Sequence, residues 1–394
     1  MSRVFCLLII FLLTIHVSYC QISQVVRNNM VYNGNYIGGY TKGDINSGLF
    51  YDGNNVIKKN IVKNTSQLLA ALESLKGPQG IIYLDDNSVF DLSGLENVTL
   101  PEGITLLSGR GINGSKGALI YSNALKTNPL FTTGGNGVSL IGLRLQGPDP
   151  YIIHPQGIQK FIPRQRLDQV DNEVIKKISA KTKRNLIYGI GNSRAIEVKH
   201  LNVTIENCEI YGWSHAGISV KGGSANVKYN YIHSNQRLGL GYGIMIDKGN
   251  ANVIANIFKD NRHAIAGTGN IGTSYVAEFN ILYANKVEQG HQFDMHGGRD
   301  RGDNTNIAGE KVDIRSNIVM YEKGPSVLIR GNPQKTSVVE DNLFIRVYNA
   351  NTVKIDEKIL SLDNPPKINR NVIRQTYGKL RLVQKNNRFI DVEN

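Results

Sequence analysis

The stretch that decides the fold is "VTIENCEIYG", Val203 to Gly212, because it returns five times: "ANVKYNYIHSN" (225–235), "ANVIANIFKDN" (251–261), "VAEFNILYAN" (276–285), "VDIRSNIVMYE" (312–322) and "SVVEDNLFIRV" (337–347). Each copy is a short alternating strand, then Asn or Cys, then an aliphatic residue or Phe two positions on. The anchors are Cys208, Asn230, Asn256, Asn280, Asn317 and Asn342, spaced 22, 26, 24, 37 and 25 residues apart. A second short strand follows most anchors: "AGISV", "YGIMI", "HAIAG", "QFDMH" and "SVLIR". A repeat of this period in strand-forming sequence is one turn of a solenoid. The expected fold is therefore all-β: one single-stranded right-handed parallel β-helix whose coils stack about 4.8 Å apart. An Asn at the same turn of every coil can form an internal ladder, with Cys208 as a small buried member.

Around this core, "NTSQLLAALESLKGP" (64–78) reads as a capping helix. Asn64 or Thr65 starts it, Leu68, Leu69, Leu72 and Leu75 form its apolar face, and Gly77-Pro78 ends it. Residues 57–348 are assigned to the β-helix. Within them 147–191 is a basic loop-and-helix insertion, either a wall of a cleft or a decoration. Residues 21–56 read as an irregular leader, and 349–394 as a C-terminal cap that loses the period.

Residues 1–20 have a positive start, an apolar run from Val4 to Ile15 and small residues at Ser18 and Cys20, as in a signal peptide. The mature chain is expected to be secreted and extracellular, without a membrane span. Cys6 and Cys20 leave with that segment, so Cys208 alone remains and no internal disulfide forms. Four sequons begin at Asn64, Asn97, Asn113 and Asn202. The formal charge is +13, and loss of Arg3 leaves the mature chain basic. A basic secreted protein attracts polyanions, and an acidic polysaccharide is the expected partner. No nucleic-acid motif appears, and a monomer is expected.

The motifs "GWSHAGI" (212–218), "NQRLGLGYG" (235–243), "RHAIAGTG" (262–269), "HQFDMHGG" (291–298) and "IRGNP" (329–333) resemble those of the pectate-lyase-like superfamily of right-handed parallel β-helix proteins, and within it secreted β-helix repeat proteins. The resemblance implies the fold and a carbohydrate substrate. The aspartate calcium ligands and catalytic Arg pattern of pectate lyases are not matched here.

Chemistry concentrates in "HQFDMHGGRDRGD", His291 to Asp303. With Ile218, Ile244, Ile265, Phe293, Met295 and Leu328 turned inward, alternation turns Gly217, Gly243, Ala264, Gln292, Asp294 and His296 outward. His215, Tyr242, His263 and His291 fall at one preceding turn. His263, His291, Asp294, His296 and Arg262 are the catalytic candidates on an open face. Trp213, His215, Arg237, Tyr242, Asp247 and Arg299 are the candidates for binding substrate. Three chemistries fit these types. In β-elimination on a uronate, His263 or His291 is the base, Tyr242 or another His the acid, and Arg262 or Arg299 offsets the sugar carboxylate. In glycoside hydrolysis, Asp294 and Asp247 act two coils, roughly 9.6 Å, apart. A divalent metal, with zinc favoured, would be held by His291, Asp294 and His296. A carbohydrate-binding or adhesion solenoid without catalysis is the remaining reading.

Overall fold

The structure is a computed structural model that describes residues 31–33, 35–39, 61–75, 80–124, 126–148, 192–236, 240–284, 291–322, 324–347, 372–377 and 382–392. The expected signal peptide, nearly all of the insertion, and Arg237 lie outside the described residues.

The chain is a right-handed parallel β-helix. Three parallel sheets of eleven, ten and nine strands are each threaded once per coil, so beyond the first pair of the eleven-stranded sheet neighbours are three strands apart in sequence. One coil runs Val203–Glu206, Glu209–Tyr211 and Ala216–Lys221, and the next repeats it as Ser224–Lys228, Tyr231–His233 and Tyr242–Asp247. Inward aliphatics from all three sheets, among them Ile205, Ile210, Ile218, Val227, Ile232 and Ile244, form one continuous core. A helix, Thr65–Ser74, lies at the N-terminal end. The Asn64 side chain accepts from Gln67 N, and Leu68 and Leu72 are buried.

The anchors do form a ladder. Each Asn Oδ1 accepts the backbone N–H of the anchor one coil back at 2.8–3.1 Å, from Asn230 onto Cys208 through Asn342 onto Asn317. Each ladder Nδ2 donates to a carbonyl of the preceding coil, as Asn280 does to Val253 O. Cys208 substitutes for an amide: its Sγ reaches Leu140 O and Glu206 O. The residue before each anchor is left-handed: Gly117, Gly142, Asn207, Tyr229, Ala255, Phe279, Ser316, Asp341 and Asn386 have φ between 50° and 75°. Gly and Asn tolerate this, whereas Tyr229, Ala255 and Phe279 each cost about 1 kcal/mol. Part of the leader packs there: Gly38 N donates to Ala255 O, and Tyr32 stacks on Phe279 at 4.2 Å.

Three expectations change. The stretch from Asn349 does not simply lose the period. Strands Ile373–Gln375, Leu382–Lys385 and Arg388–Val392 extend the three sheets, and Asn387 continues the ladder 45 residues after Asn342. Gly217, Gly243, Ala264 and Gln292 do not face outward. The chain bends there, so a Cβ on Gly243 would meet Phe258, and Ala264 joins the core. Leu328 does not point inward: it pairs with outward Asp294, while Val327 and Ile329 are buried.

Candidate active site

The outer face of the nine-stranded sheet carries one column of paired residues, one per coil: Glu197, Ser219, Met245, Ala266, Asp294 and Leu328. Asp294 is the hub. Its side chain leaves the core as alternation requires, yet it is fully buried. Its Oδ2 lies 2.9 Å from Arg330 Nη2, 3.2 Å from His296 Nε2 and 3.6 Å from His263 Nε2. Burial pushes the Asp294 carboxyl up, but the hydrogen bond from His296 and the positive charges around it outweigh that and hold it well below the usual carboxylate range. The open-face expectation for Asp294 is thus corrected: a charge in this place is stable only because it is paired.

A second carboxylate completes the group. Asp300, in the short helix Gly298–Arg301, accepts from Gly297 N at 3.2 Å. Its oxygens lie 3.8 Å from His296 Nδ1 and 3.6 Å from Arg330 Nη1. His296 and Arg330 are each held between Asp294 and Asp300. Sequence reasoning assigned no role to Arg330 or Asp300. The signal for Arg330 was present, since it lies two residues past Leu328 on the outward side. Placing Leu328 inward turned Arg330 inward with it, because a one-residue slip reverses every side chain of a strand.

Beside this hub, His215, Tyr242, His263 and His291 form a row of rings with centroids 6.0, 5.6 and 5.4 Å apart, the first pair tilted and the other two stacked. The last two imidazoles are anchored alike. His263 Nδ1 lies 2.8 Å from His291 O, and His291 Nδ1 lies 2.9 Å from Pro325 O. A carbonyl only accepts, so both Nδ1 atoms carry the proton and both Nε2 atoms are bare lone pairs. Burial, and then the Arg262 charge, pushes His263 down to about 3, so it is neutral. It is completely enclosed and cannot touch substrate itself. Burial also lowers His291, which is half-buried, and none of the described residues hydrogen-bonds its Nε2. Arg262 Nη1 donates to Tyr242 Oη at 3.5 Å, and burial pushes the Tyr242 hydroxyl up, keeping it protonated.

The other candidates are placed as follows. Trp213 is not a surface platform. It precedes the outward strand, its ring is wholly buried against Gly147, and its Nε1 donates to Leu145 O at 3.2 Å. His215 accepts from Arg194 Nε at 3.1 Å at the far end of the stack. Asp247 accepts from Thr268 Oγ1 and Asn270 Nδ2, both at 2.7 Å. Asp294 pairs in register with the row of Met245, so Asp247 is two coils and two residues away, a backbone separation of about 12 Å. A two-carboxylate hydrolase needs both carboxyls open to substrate, whereas Asp294 is fully buried and paired with Arg330 and His296. Arg299 is exposed and lies over the Tyr377 ring at 4.4 Å, apart from the Asp294 group. His291, Asp294 and His296 do not converge as ligands: His296 Nε2 is spent on Asp294. Among the described residues no three His, Cys, Asp or Glu side chains are grouped to hold a metal ion. His200 and His233 are tied to Thr133 and Glu209. No helix among the described residues is long and apolar enough to cross a membrane.

No family model and no curated protein matches the chain. Solved structures similar to it include an alginate lyase from Paenibacillus sp. str. FPU-7, with TM-score 0.49 and 12% identity over 84% of this chain and 97% of that one. A family 28 exopolygalacturonase from Yersinia enterocolitica gives TM-score 0.36 and 11% identity over 83% and 78%. The A-module of the mannuronan C-5 epimerase AlgE6 from Azotobacter vinelandii gives 0.32 and 11% over 85% and 97%. At these values the likeness carries no argument beyond the fold, and the right-handed parallel β-helix itself is seen in the three parallel sheets.

Proposed function

We propose that the chain is a secreted, monomeric, carbohydrate-active β-helix that cleaves an acidic polysaccharide by β-elimination, with His291 as the base. One observation carries this reading. His291 is fixed by its Nδ1–H on Pro325 O, is kept neutral by burial, and has an Nε2 that none of the described residues hydrogen-bonds, in the same row of rings as Tyr242 with Arg262 beside it. A uronate carboxylate facing Arg262 has its charge offset, which acidifies the C5–H. His291 Nε2 takes that proton. The C4–O bond breaks as the C4=C5 double bond forms, and Tyr242 or His296 gives a proton to the leaving oxygen. Asp294 and Arg330 touch no substrate in this scheme; they position His296. The basic charge of the chain and the polysaccharide-acting neighbours agree with this substrate class.

Hydrolysis is disfavoured by the burial of Asp294 and the pairing of Asp247, and a non-catalytic solenoid would have no use for a neutral imidazole whose lone pair none of the described residues engages. The test is incubation with a panel of acidic and neutral polysaccharides. Ultraviolet-absorbing unsaturated ends, lost in His291→Ala, support the reading. New reducing ends without that absorbance indicate a hydrolase, and binding without cleavage a lectin.

A further inference from the structure

The outward column that carries Asp294 continues past the site. It runs over half-buried Leu328 to Arg374, which pairs with Leu328 in register on the following coil. Arg374 is exposed, and two coil spacings, about 9.6 Å along the solenoid axis, separate it from Asp294. Thr376 N donates to Ile329 O at 2.8 Å, so the chain then passes beside Arg330 and turns at Tyr377. Arg299, from the helix that also supplies Asp300, reaches the same turn. Its guanidinium lies 4.4 Å from the centre of the Tyr377 ring.

Charge sets these side chains apart from ordinary surface. The carboxylates at this end are engaged by other cations: Asp294 and Asp300 by Arg330, Asp303 by Arg301, and Glu310, further along the same turn, by Lys335. Arg299 and Arg374 are both open to solvent, and neither has a carboxylate partner among the described residues. Tyr377 is set apart by its backbone. Its φ of 61° is left-handed, which costs a bulky residue about 1–2 kcal/mol. Tyr229 and Phe279 share that conformation but pack against Tyr32 of the leader. The Tyr377 side chain is instead 50% exposed. An aromatic ring held out in solvent by a strained backbone is a contact surface for something other than the core.

A guanidinium is a planar fork of donors that matches a carboxylate with two parallel bonds. An aromatic face takes the apolar face of a sugar ring. We infer that Arg374, Arg299 and Tyr377 form a subsite for a carboxylate-bearing sugar of the polymer, beyond the scissile unit on the C-terminal side of the solenoid; this rests on the function proposed above. Arg374 meets the carboxylate, Tyr377 supplies the stacking surface, and Arg299 holds the ring and adds a second cation. None of the three touches the reacting atoms. The subsite therefore binds ground state and transition state alike, lowering KM and leaving kcat unchanged.

The test is steady-state kinetics of the full chain on a soluble polyuronate, with direct binding to that polymer and to its carboxyl-reduced, neutral counterpart. Arg374→Ala is expected to raise KM about fivefold at constant kcat, and Arg299→Ala and Tyr377→Ala about threefold each. All three side chains are exposed, so the thermal midpoint stays in place. Arg374→Lys keeps the charge but not the fork and recovers part of the loss. Lys116→Ala, which removes one charge from an exposed loop at the N-terminal end, is the control and leaves KM unchanged. Binding of the neutral polymer is indifferent to Arg374→Ala and still weakened by Tyr377→Ala. A rise in KM in Lys116→Ala equal to that in Arg374→Ala reduces the effect to overall charge and overturns the subsite. So does cleavage with KM untouched in all three variants, or a loss confined to kcat. A chain that binds the polyuronate without cleaving it overturns the proposed reaction alone, and the dissociation constants of the same variants then decide the subsite. An unmodified chain that does not bind the polyuronate overturns both.

Discussion

The imidazoles of His263 and His291 lie 5.4 Å apart and within 5° of parallel, and each hangs by its Nδ1 from a carbonyl at the next coil. The solenoid thus repeats one histidine geometry twice and assigns it two fates. His263 is sealed against Asp294, while His291 keeps a lone pair that none of the described residues engages. Replacing His291 by Ala should lower kcat by about 10²- to 10⁴-fold, the range of a lost general base, with little change in thermal midpoint. Steady-state kinetics beside a melting curve checks both halves.

The pH profile follows from the same pair of groups. A base must be neutral to work, and burial lowers His291 below its ordinary value of 6.5. The acid limb of kcat/KM should therefore fall below pH 6.5. Tyr242 is raised above 10.0, so no basic limb from that hydroxyl should appear below pH 10. An acid limb above 6.5 would remove His291 from the role.

Stability should fall on acidification, with a sign fixed by His263. Its folded value is about 3 against an ordinary 6.5, so between these values the unfolded chain binds the extra proton. The stability is fully present above pH 6.5 and is lost as the pH drops toward 3. Asp294, also depressed, adds a further loss below its ordinary 3.8. His263→Phe should flatten the melting temperature between pH 6 and pH 4, measured by calorimetry.

Asp294→Asn should cost both activity and stability. It leaves the partly exposed Arg330 with Asp300 as its remaining carboxylate, and loss of a charged hydrogen-bond partner costs about 1.5–3 kcal/mol. His296, which is partly exposed, should behave differently: His296→Ala lowers turnover and spares most of the melting temperature. Denaturant titration of the two variants separates them.

The ladder predicts a tolerated substitution. Cys208 already reaches Leu140 O and Glu206 O as an amide nitrogen would, and its own N–H is taken by Asn230. Cys208→Asn should extend the ladder one coil without loss of stability. Asn280→Ala, which removes two donated and two accepted bonds, should cost about 2–4 kcal/mol.

The coil was legible because its period repeats in Asn230, Asn256, Asn280, Asn317 and Asn342, each demanded by the same left-handed turn. Asn387 was missed because 45 residues separate it from Asn342. The histidine stack was legible for the same reason: one residue per coil at one turn. Coverage was not. Alternation tells which side of a strand Asp294 leaves from, not what closes over it, so a buried hub read as an open catalyst. Trp213 failed in the opposite way, since an aromatic at a turn can face either water or core, and neighbouring Gly147 leaves the space inside. Arg330 and Asp300 join the group through a neighbouring coil and a four-residue helix, contacts that no single repeat displays.

The most direct measurement is the ultraviolet absorbance of a polyuronate solution after addition of the protein, with His291→Ala alongside. The account predicts a rise that is strongest on acidic polymers, falls with salt, and is absent in the variant. Release of reducing ends without that rise, or a rise undiminished in His291→Ala, would contradict it.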